Sequence, residues 1–218
     1  MALAEPESTR VIVFARAPRP GAVKTRLIPV LGPEGSAALH ARMVKHTLSI
    51  ARKAHIGSVE LQCDPDCDDD FLRFCGNRYR ADLASQADGD LGERMAAAAG
   101  AALSAHARVL LVGSDCPALT LRHLRDADQA LRRGADAVLA PAEDGGYVMI
   151  GLTRLDKRLF EDIGWGTNRV LEQTRTRLRE MGWQWEELET LWDVDRPEDY
   201  QRLLASRLLD GPGTSVKF

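Results

Sequence analysis

Arg108-Val-Leu-Leu-Val112, closed by Gly113-Ser-Asp-Cys-Pro117, is the stretch on which the fold turns. Four aliphatic residues in succession, too few for a helix and bounded by turn formers, read as a strand buried on both faces. Such a strand needs helices above and below it, so the flanking sequence should alternate strand with helix. It does. Upstream, Val11-Ile-Val-Phe14 is a β-branched run, and Gly32-Pro33-Glu34 opens an amphipathic stretch. Leu39, Met43, Val44, Leu48 and Ile50 recur there at helical spacing up to Ala54, and Gly57 is the expected stop. Val59-Glu-Leu61 reads as a strand, Asp68 to Phe74 as a short helix and Arg80 to Ala84 as a short third strand. Asp90 then caps an alanine-rich helix through Met95 and Leu103.

Downstream, Thr120 is a suitable N-cap for a helix that Gly134 ends. Ala137-Val-Leu-Ala140 and Tyr147-Val-Met-Ile150 follow as strands, then helices from Asn168 to Met181 and from Pro197 to Leu209. No repeat and no long linker interrupts the series. The expectation is one α/β domain over 10–210, a three-layer αβα arrangement on a mostly parallel sheet, with tails at 1–9 and 211–218, the second mobile. In such sheets ligands bind beyond the carboxyl ends of the strands, so the loops after Phe14, Val112 and Ala140 should carry the chemistry.

Composition narrows the classes. A net charge of −3 over 218 residues lacks the basic excess of a nucleic-acid binder. No apolar run approaches the roughly 20 residues that span a bilayer, and the opening MALAEPESTR is too polar and acidic for a signal peptide. The expected setting is the cytoplasm, with no membrane partner. Cys63, Cys67 and Cys75 lie close together, but no later Cys or His pair completes a zinc ligand set, and all four cysteines read as free thiols.

The three loops hold the unusual residues. After the first strand comes Ala15-Arg-Ala-Pro-Arg-Pro-Gly-Ala-Val-Lys-Thr-Arg-Leu27, with Arg16, Arg19, Lys24 and Arg26 in one irregular segment. Guanidinium groups bind phosphate oxygens in bidentate fashion, lysine adds a point charge, and glycine lets backbone N–H groups approach a ligand. The loop has neither the Walker order nor the dinucleotide-binding glycine triplet, and a solvated surface loop is the plain alternative. Ala15, Arg16, Gly21, Lys24 and Arg26 form the phosphate-binding set. Asp115 ends the most hydrophobic strand, where a carboxylate is costly unless paired or coordinated, and Mg²⁺ or Mn²⁺ is the expected partner; a turn cap is the alternative. Asp195, in Trp192-Asp-Val-Asp-Arg-Pro-Glu-Asp199, reads equally as the N-cap of the last helix, with Glu198 completing a capping box, or as a second metal ligand. Glu143, Asp144, Gly145, Gly146 and Tyr147 form either a hairpin turn or an acceptor-side site, in which Asp144 serves as base or metal ligand.

These motifs together resemble the bacterial GT-A-like transferases known as radical-SAM/selenodomain-associated or arsenosugar-biosynthesis glycosyltransferases. The resemblance rests on Phe14 to Leu27, Gly89-Asp-Leu-Gly-Glu-Arg-Met95, Gly113 to Thr120, Pro141 to Tyr147, Trp165-Gly-Thr167 and Asp193 to Asp199, in family order over residues 10 to 205. More distantly the chain is similar to guanylyl- and cytidylyltransferases such as phospholactate guanylyltransferase. The resemblance implies a GT-A-like nucleotide-diphospho-sugar transferase fold. It places the phosphates on Lys24 and Arg26, the metal on Asp115 and Asp195, and the nucleobase and ribose near Gln86, Gly89 and Arg94. Two departures stand out: the family's lysine after the first strand is Arg16, and the threonine before the C-terminal proline is Arg196.

The expected partners are therefore a nucleotide sugar or a nucleoside triphosphate and a small-molecule acceptor, with Mg²⁺ or Mn²⁺ as cofactor. Glycosyl transfer is the first reading and nucleotidyl transfer with pyrophosphate release the second; a non-catalytic nucleotide-binding scaffold is the third. In either enzymatic reading Arg16, Lys24 and Arg26 neutralise developing charge and Asp144 orients or deprotonates the acceptor. Trp165, Trp183, Trp185 and Trp192 read as core packing by default, with an acceptor pocket or a homodimer face as their other uses.

Overall fold

The computed structural model describes residues 8–210. In chain order its elements are β1 (Thr9–Arg16), α1 (Ile28–Ala54), β2 (Gly57–Asp64), α2 (Asp70–Tyr79), β3 (Asp82–Ser85), α3 (Leu91–Leu103), β4 (Arg108–Gly113), α4 (Leu121–Arg132), β5 (Ala137–Pro141), β6 (Tyr147–Leu152), α5 (Val170–Glu180), β7 (Trp185–Glu187) and α6 (Pro197–Ser206). Short 3₁₀ turns occur at Thr25–Leu27 and Lys157–Leu159. The strands form one sheet in the order β3-β2-β1-β4-β6-β5-β7. All neighbours pair in parallel except β6, which runs antiparallel to both β4 and β5.

β4 shows why the sheet is sandwiched. Leu110 and Val112 pack with Val44, Leu48, Leu72, Leu124 and Leu131, from α1, α2 and α4. Val109 and Leu111 point the other way, into Met95, Ala99, Leu171 and Leu178, from α3 and α5. All four strand residues are at most 2% exposed. At roughly 1.5–3 kcal/mol per fully buried aliphatic side chain, this strand alone anchors both layers. A smaller cluster of Leu27, Met43, Trp192, Val194 and Leu203 seats α6 against α1 and the first 3₁₀ turn.

The structure adjusts several boundaries. Thr9, expected in a tail, opens β1, and Ser8 precedes it; the remainder of the N-terminal tail, and the 211–218 tail expected to be mobile, lie outside the described residues. α1 begins before Gly32, which departs from helical geometry at φ 68°, and Pro33 restarts the helix. It ends at His55 in the left-handed region (φ 53°), whereas Gly57 is the first residue of β2. Asp90 does cap α3: it accepts from Glu93 N (2.9 Å), and the Glu93 carboxylate accepts from Asp90 N (2.8 Å). At α6 the N-cap is Arg196, not Asp195. Asp199, not Glu198, accepts the backbone N–H groups of Asp195 (3.1 Å) and Arg196 (2.7 Å). The Asp195 carboxylate is thereby left to other partners. β7, three residues at a sheet edge, was not expected.

The chain leaves β1 toward β2 on one side and returns through α3 to β4 on the other. The loops after β1 and β4 diverge from this point, which is where a crevice opens in an open α/β sheet. Among the described residues no helix is long and apolar enough to cross a membrane.

Candidate active site

The crevice is a cleft in two connected halves that share Phe14, Leu91, Gly113 and Asp115. The first, about 730 Å³, is polar and is walled by the loop after β1. The second, about 400 Å³, is largely apolar and lies toward the β5–β6 turn. Asp115, at the end of β4, stands where they meet.

Local bonding explains how distant acids gather there. Val194 N–H donates to the Asp115 carbonyl (2.9 Å), which fastens the extended segment before α6 across the end of β4. Val194 is fully buried, so Asp193 and Asp195, two apart on an extended chain, both turn toward the cleft. Lys24 approaches from the other side with backbone in the left-handed region (φ 47°), a conformation non-glycine residues adopt rarely. Its ammonium lies 3.0 Å from Asp115 Oδ2 and 3.9 Å from Asp195 Oδ1, and its side chain is only 6% exposed. Arg26 pairs with the other oxygen of Asp195.

His40, which sequence reasoning did not single out, closes this group from α1. Its Nε2 donates to the Arg16 carbonyl (2.9 Å), and Nδ1 sits 3.6 Å from Asp115 Oδ1. Oδ1 itself is buried and has no hydrogen-bond partner. Burial pushes the Asp115 carboxyl up, but Lys24 and His40 outweigh it and hold the group below the usual carboxylate range. Asp193 goes the other way: burial, then repulsion from Asp144, raises it to about 6.

The polar half continues past Arg16. Asp64, a second residue missed in the sequence, accepts from Arg16 Nε (2.8 Å) and lies 3.7 Å from Arg94. Arg94 donates to the Gly89 carbonyl (3.0 Å) and to Gln86 Oε1 (3.2 Å), while Gln86 Nε2 donates to the Gln62 carbonyl (3.0 Å). Gln86, Gly89 and Arg94 thus form one bonded unit on the cleft wall. Ala15, Arg16, Lys24 and Arg26 line the same half; Gly21 does not, and its loop neighbours Ala22 and Val23 do instead.

Of the acceptor-side residues, Asp144, Gly146 and Tyr147 line the apolar half. Asp144 Oδ1 accepts from Gly146 N (2.8 Å), which fixes the turn, and Tyr147 meets Trp165 edge to face with centroids 6.5 Å apart. Glu143 turns away into a bidentate pair with Arg202 (2.7 and 3.0 Å), and Gly145 serves the turn from outside the cleft. At Gly145, with φ 89°, a Cβ would lie 2.2 Å from the Asn168 carbonyl oxygen, so only glycine fits. The tryptophans divide. Trp183 and Trp192 are buried beneath Arg154 and Arg202, whereas Trp165 walls the cleft.

All four cysteines are free thiols. Among the described residues no three His, Cys, Asp or Glu side chains are grouped as a metal cage. What the site offers a cation is a pair of carboxylates, Asp115 and Asp195. They are bridged here by the Lys24 ammonium, beside the unpartnered Asp115 Oδ1. Mg²⁺ and Mn²⁺ are commonly bound by one or two carboxylates with substrate phosphates completing the shell, and these residues fit that pattern.

The fold is that of nucleotide-using transferases. The chain belongs to DUF2064, a family described as uncharacterized protein conserved in bacteria, whose model matches residues 47–167. No curated protein matches it. Among solved structures it is similar to a protein of Desulfovibrio desulfuricans G20 provisionally described as a nucleotide-diphospho-sugar transferase. That match has a TM-score of 0.79 and 27% identity over 97% of this chain and 100% of that one. CMP:2-keto-3-deoxy-manno-octonic acid synthetase complexed with CTP shares the fold, with a TM-score of 0.60 and 10% identity over 94% and 100% of the two chains. So does Rv0371c of Mycobacterium tuberculosis H37Rv complexed with manganese, with a TM-score of 0.59 and 17% identity over 92% and 99%.

Proposed function

We propose that this protein is a metal-dependent glycosyltransferase that takes a nucleotide sugar as donor. The observation that carries the reading is the division of the cleft at Asp115. On one side stand Arg16, Lys24, Arg26 and Arg94; on the other stands a wall of apolar and aromatic side chains. A nucleoside diphosphate suits the first and an acceptor the second. The likeness at 27% identity to a protein provisionally described as a nucleotide-diphospho-sugar transferase, and the manganese in a fold relative, support it.

Asp115 and Asp195 would hold Mg²⁺ or Mn²⁺, which when bound neutralises the diphosphate and stabilises it as a leaving group. Arg16, Lys24 and Arg26 add fixed positive charge along the departing phosphate oxygens. Gln86, Gly89 and Arg94, already bonded to one another, present a preorganised edge to the ribose and base. Asp144, at the border of the acceptor half, takes the proton of an acceptor hydroxyl. The acceptor oxygen then bonds to the anomeric carbon, the sugar–phosphate bond breaks, and the nucleoside diphosphate leaves with the bonding electrons.

Four basic side chains in one wall also suit a triphosphate, and that feature favours nucleotidyl transfer as the second reading. Product analysis separates the two. The protein is incubated with nucleotide sugars or with nucleoside triphosphates and Mn²⁺, with Asp115→Asn as control. Slow, metal-dependent release of nucleoside diphosphate from a nucleotide sugar, with water as acceptor, is the expected result. Pyrophosphate release from a triphosphate, with nucleotide sugars left intact, would replace this reading with the second.

A further inference from the structure

The apolar half of the cleft carries information about what enters it. Its volume, about 400 Å³, lies within the range of small-molecule sites. Phe14, Met95, Tyr147, Val148, Trp165 and Val170 are among the apolar and aromatic residues of its wall. The charged residues in its lining are Asp115, Asp144 and Asp193; none is Lys, Arg or His. Lys24, beside the lining Asp115, is engaged with Asp115 and Asp195, and Arg202 is engaged with Glu143, the neighbour of the lining Asp144. Away from Asp115, where a metal would be held, a phosphate ester or carboxylate entering here would lose its water against Asp144 and Asp193 with no Lys, Arg or His in the lining to pair with, which electrostatics makes unfavourable.

The aromatic wall is built into the fold. Gly92, in the first turn of α3, has Trp165 Nε1 at 2.7 Å and the Phe160 carbonyl oxygen at 2.6 Å from where its Cβ would be. Any side chain at 92 would therefore displace the indole. Tyr147 braces Trp165 edge to face at an interplanar angle of 84°. These contacts give the pocket a fixed flat face, the kind on which an apolar or aromatic body packs.

We infer that the acceptor is a non-anionic alcohol with an apolar or aromatic body, held between Trp165 and Val170 with its hydroxyl toward Asp144. This rests on the transferase reading for the word acceptor, but the ligand class follows from the pocket alone. It also opposes a phosphorylated acceptor, the partner that nucleotidyl transfer would most naturally use.

The test uses three probes of one shape: benzyl alcohol, 4-(aminomethyl)benzyl alcohol and benzyl phosphate. Dissociation constants are measured by ligand-observed NMR on the full-length protein, on Trp165→Ala, and on Val170→Phe, which fills the pocket while keeping Trp165. Circular dichroism checks that each variant is folded. The two alcohols should bind, and should weaken tenfold or more in either variant. Benzyl phosphate should show at least tenfold less of this Trp165-dependent binding; any affinity it has should fall in Arg16→Ala instead, marking the polar half. Asp193→Asn should narrow the gap between the aminomethyl and phosphate probes. Equal or tighter Trp165-dependent binding of benzyl phosphate would overturn the inference, as would no binding of either alcohol to the folded protein. Nucleoside diphosphate binding is titrated separately with Mn²⁺. Its absence would sink the transferase reading while leaving the pocket's ligand class standing, so the two failures are distinguishable.

Discussion

Lys24 and Asp115 set the electrostatics of the cleft, and a double-mutant cycle measures how strongly. At the observed 3.0 Å separation, Coulomb's law gives about 1.4 kcal/mol in a dielectric like bulk water and about 5.5 kcal/mol at an effective value near 20. Lys24 is 6% exposed and Asp115 44%, so the pair lies between these limits, with solvent screening one partner. Desolvation of the ammonium takes back part of the gain, leaving an expected coupling of about 1–3 kcal/mol. Lys24→Met, Asp115→Asn and the double variant would be unfolded in urea at pH 7 and low salt. The double variant should be more stable than the sum of the single effects by that amount. The pH dependence has a definite sign. The folded Asp115 carboxyl is held low, so its contribution is present above the unfolded carboxylate value of about 3.9 and is lost as pH falls through the folded one. The stability gap between wild type and Lys24→Met should therefore close as pH falls below about 5. A coupling under about 0.5 kcal/mol, or a gap independent of pH, would refute the view that this pair holds the site's charges in place.

Three further outcomes follow from the geometry. Gly145→Ala forces a Cβ toward the Asn168 carbonyl at a left-handed position; it should lower stability by about 1–3 kcal/mol in urea titration and reduce turnover by moving Asp144. His46, whose pKa burial lowers and whose Nε2 donates to the Pro117 carbonyl (3.2 Å), keeps its neutral form to lower pH in the fold than in the unfolded chain. Its contribution is complete above the unfolded histidine value of about 6.5 and declines as pH falls below it, so His46→Gln should flatten the loss of stability between pH 7.5 and 5.5. Leu110→Ala removes a fully buried side chain from β4 and should cost about 2–5 kcal/mol, read as a lower urea midpoint at unchanged slope.

The strands and helices that make the fold were legible because each has a local cause. β4 is a continuous aliphatic run, and Asp90 and Thr120 sit one residue before α3 and α4. The insertion of antiparallel β6 between β4 and β5 was not legible, since the Pro141–Gly146 turn announces a hairpin but not which neighbour its second strand will choose. β7 was missed because three residues at an edge show no period. In the cleft, Asp115 and the basic loop were visible from the strand-end rule, and Asp64, at the end of β2, could have been found by the same rule. Asp193 left a signal in the Asp-Val-Asp alternation, whose buried valine sends both acids to one side. His40 left none. It sits on a long helix, and only the tertiary packing of α1 brings it to Asp115. Glu143 illustrates the reverse: a carboxylate beside two glycines invites a catalytic role, yet Arg202, 59 residues on, engages it.

In the proposed function the polar half of the cleft binds a nucleotide through the basic loop, with a metal on Asp115 and Asp195. Thermal unfolding of the wild type and Asp115→Asn, with nucleoside diphosphates of each base and with or without Mn²⁺, tests it most directly. At about a hundred times its dissociation constant a ligand adds roughly 2.7 kcal/mol, a readily seen rise in Tm. Such a rise is expected for the wild type with at least one nucleotide, dependent on Mn²⁺ and abolished in Asp115→Asn. No rise with any nucleotide, or a rise that needs neither the metal nor Asp115, would contradict it.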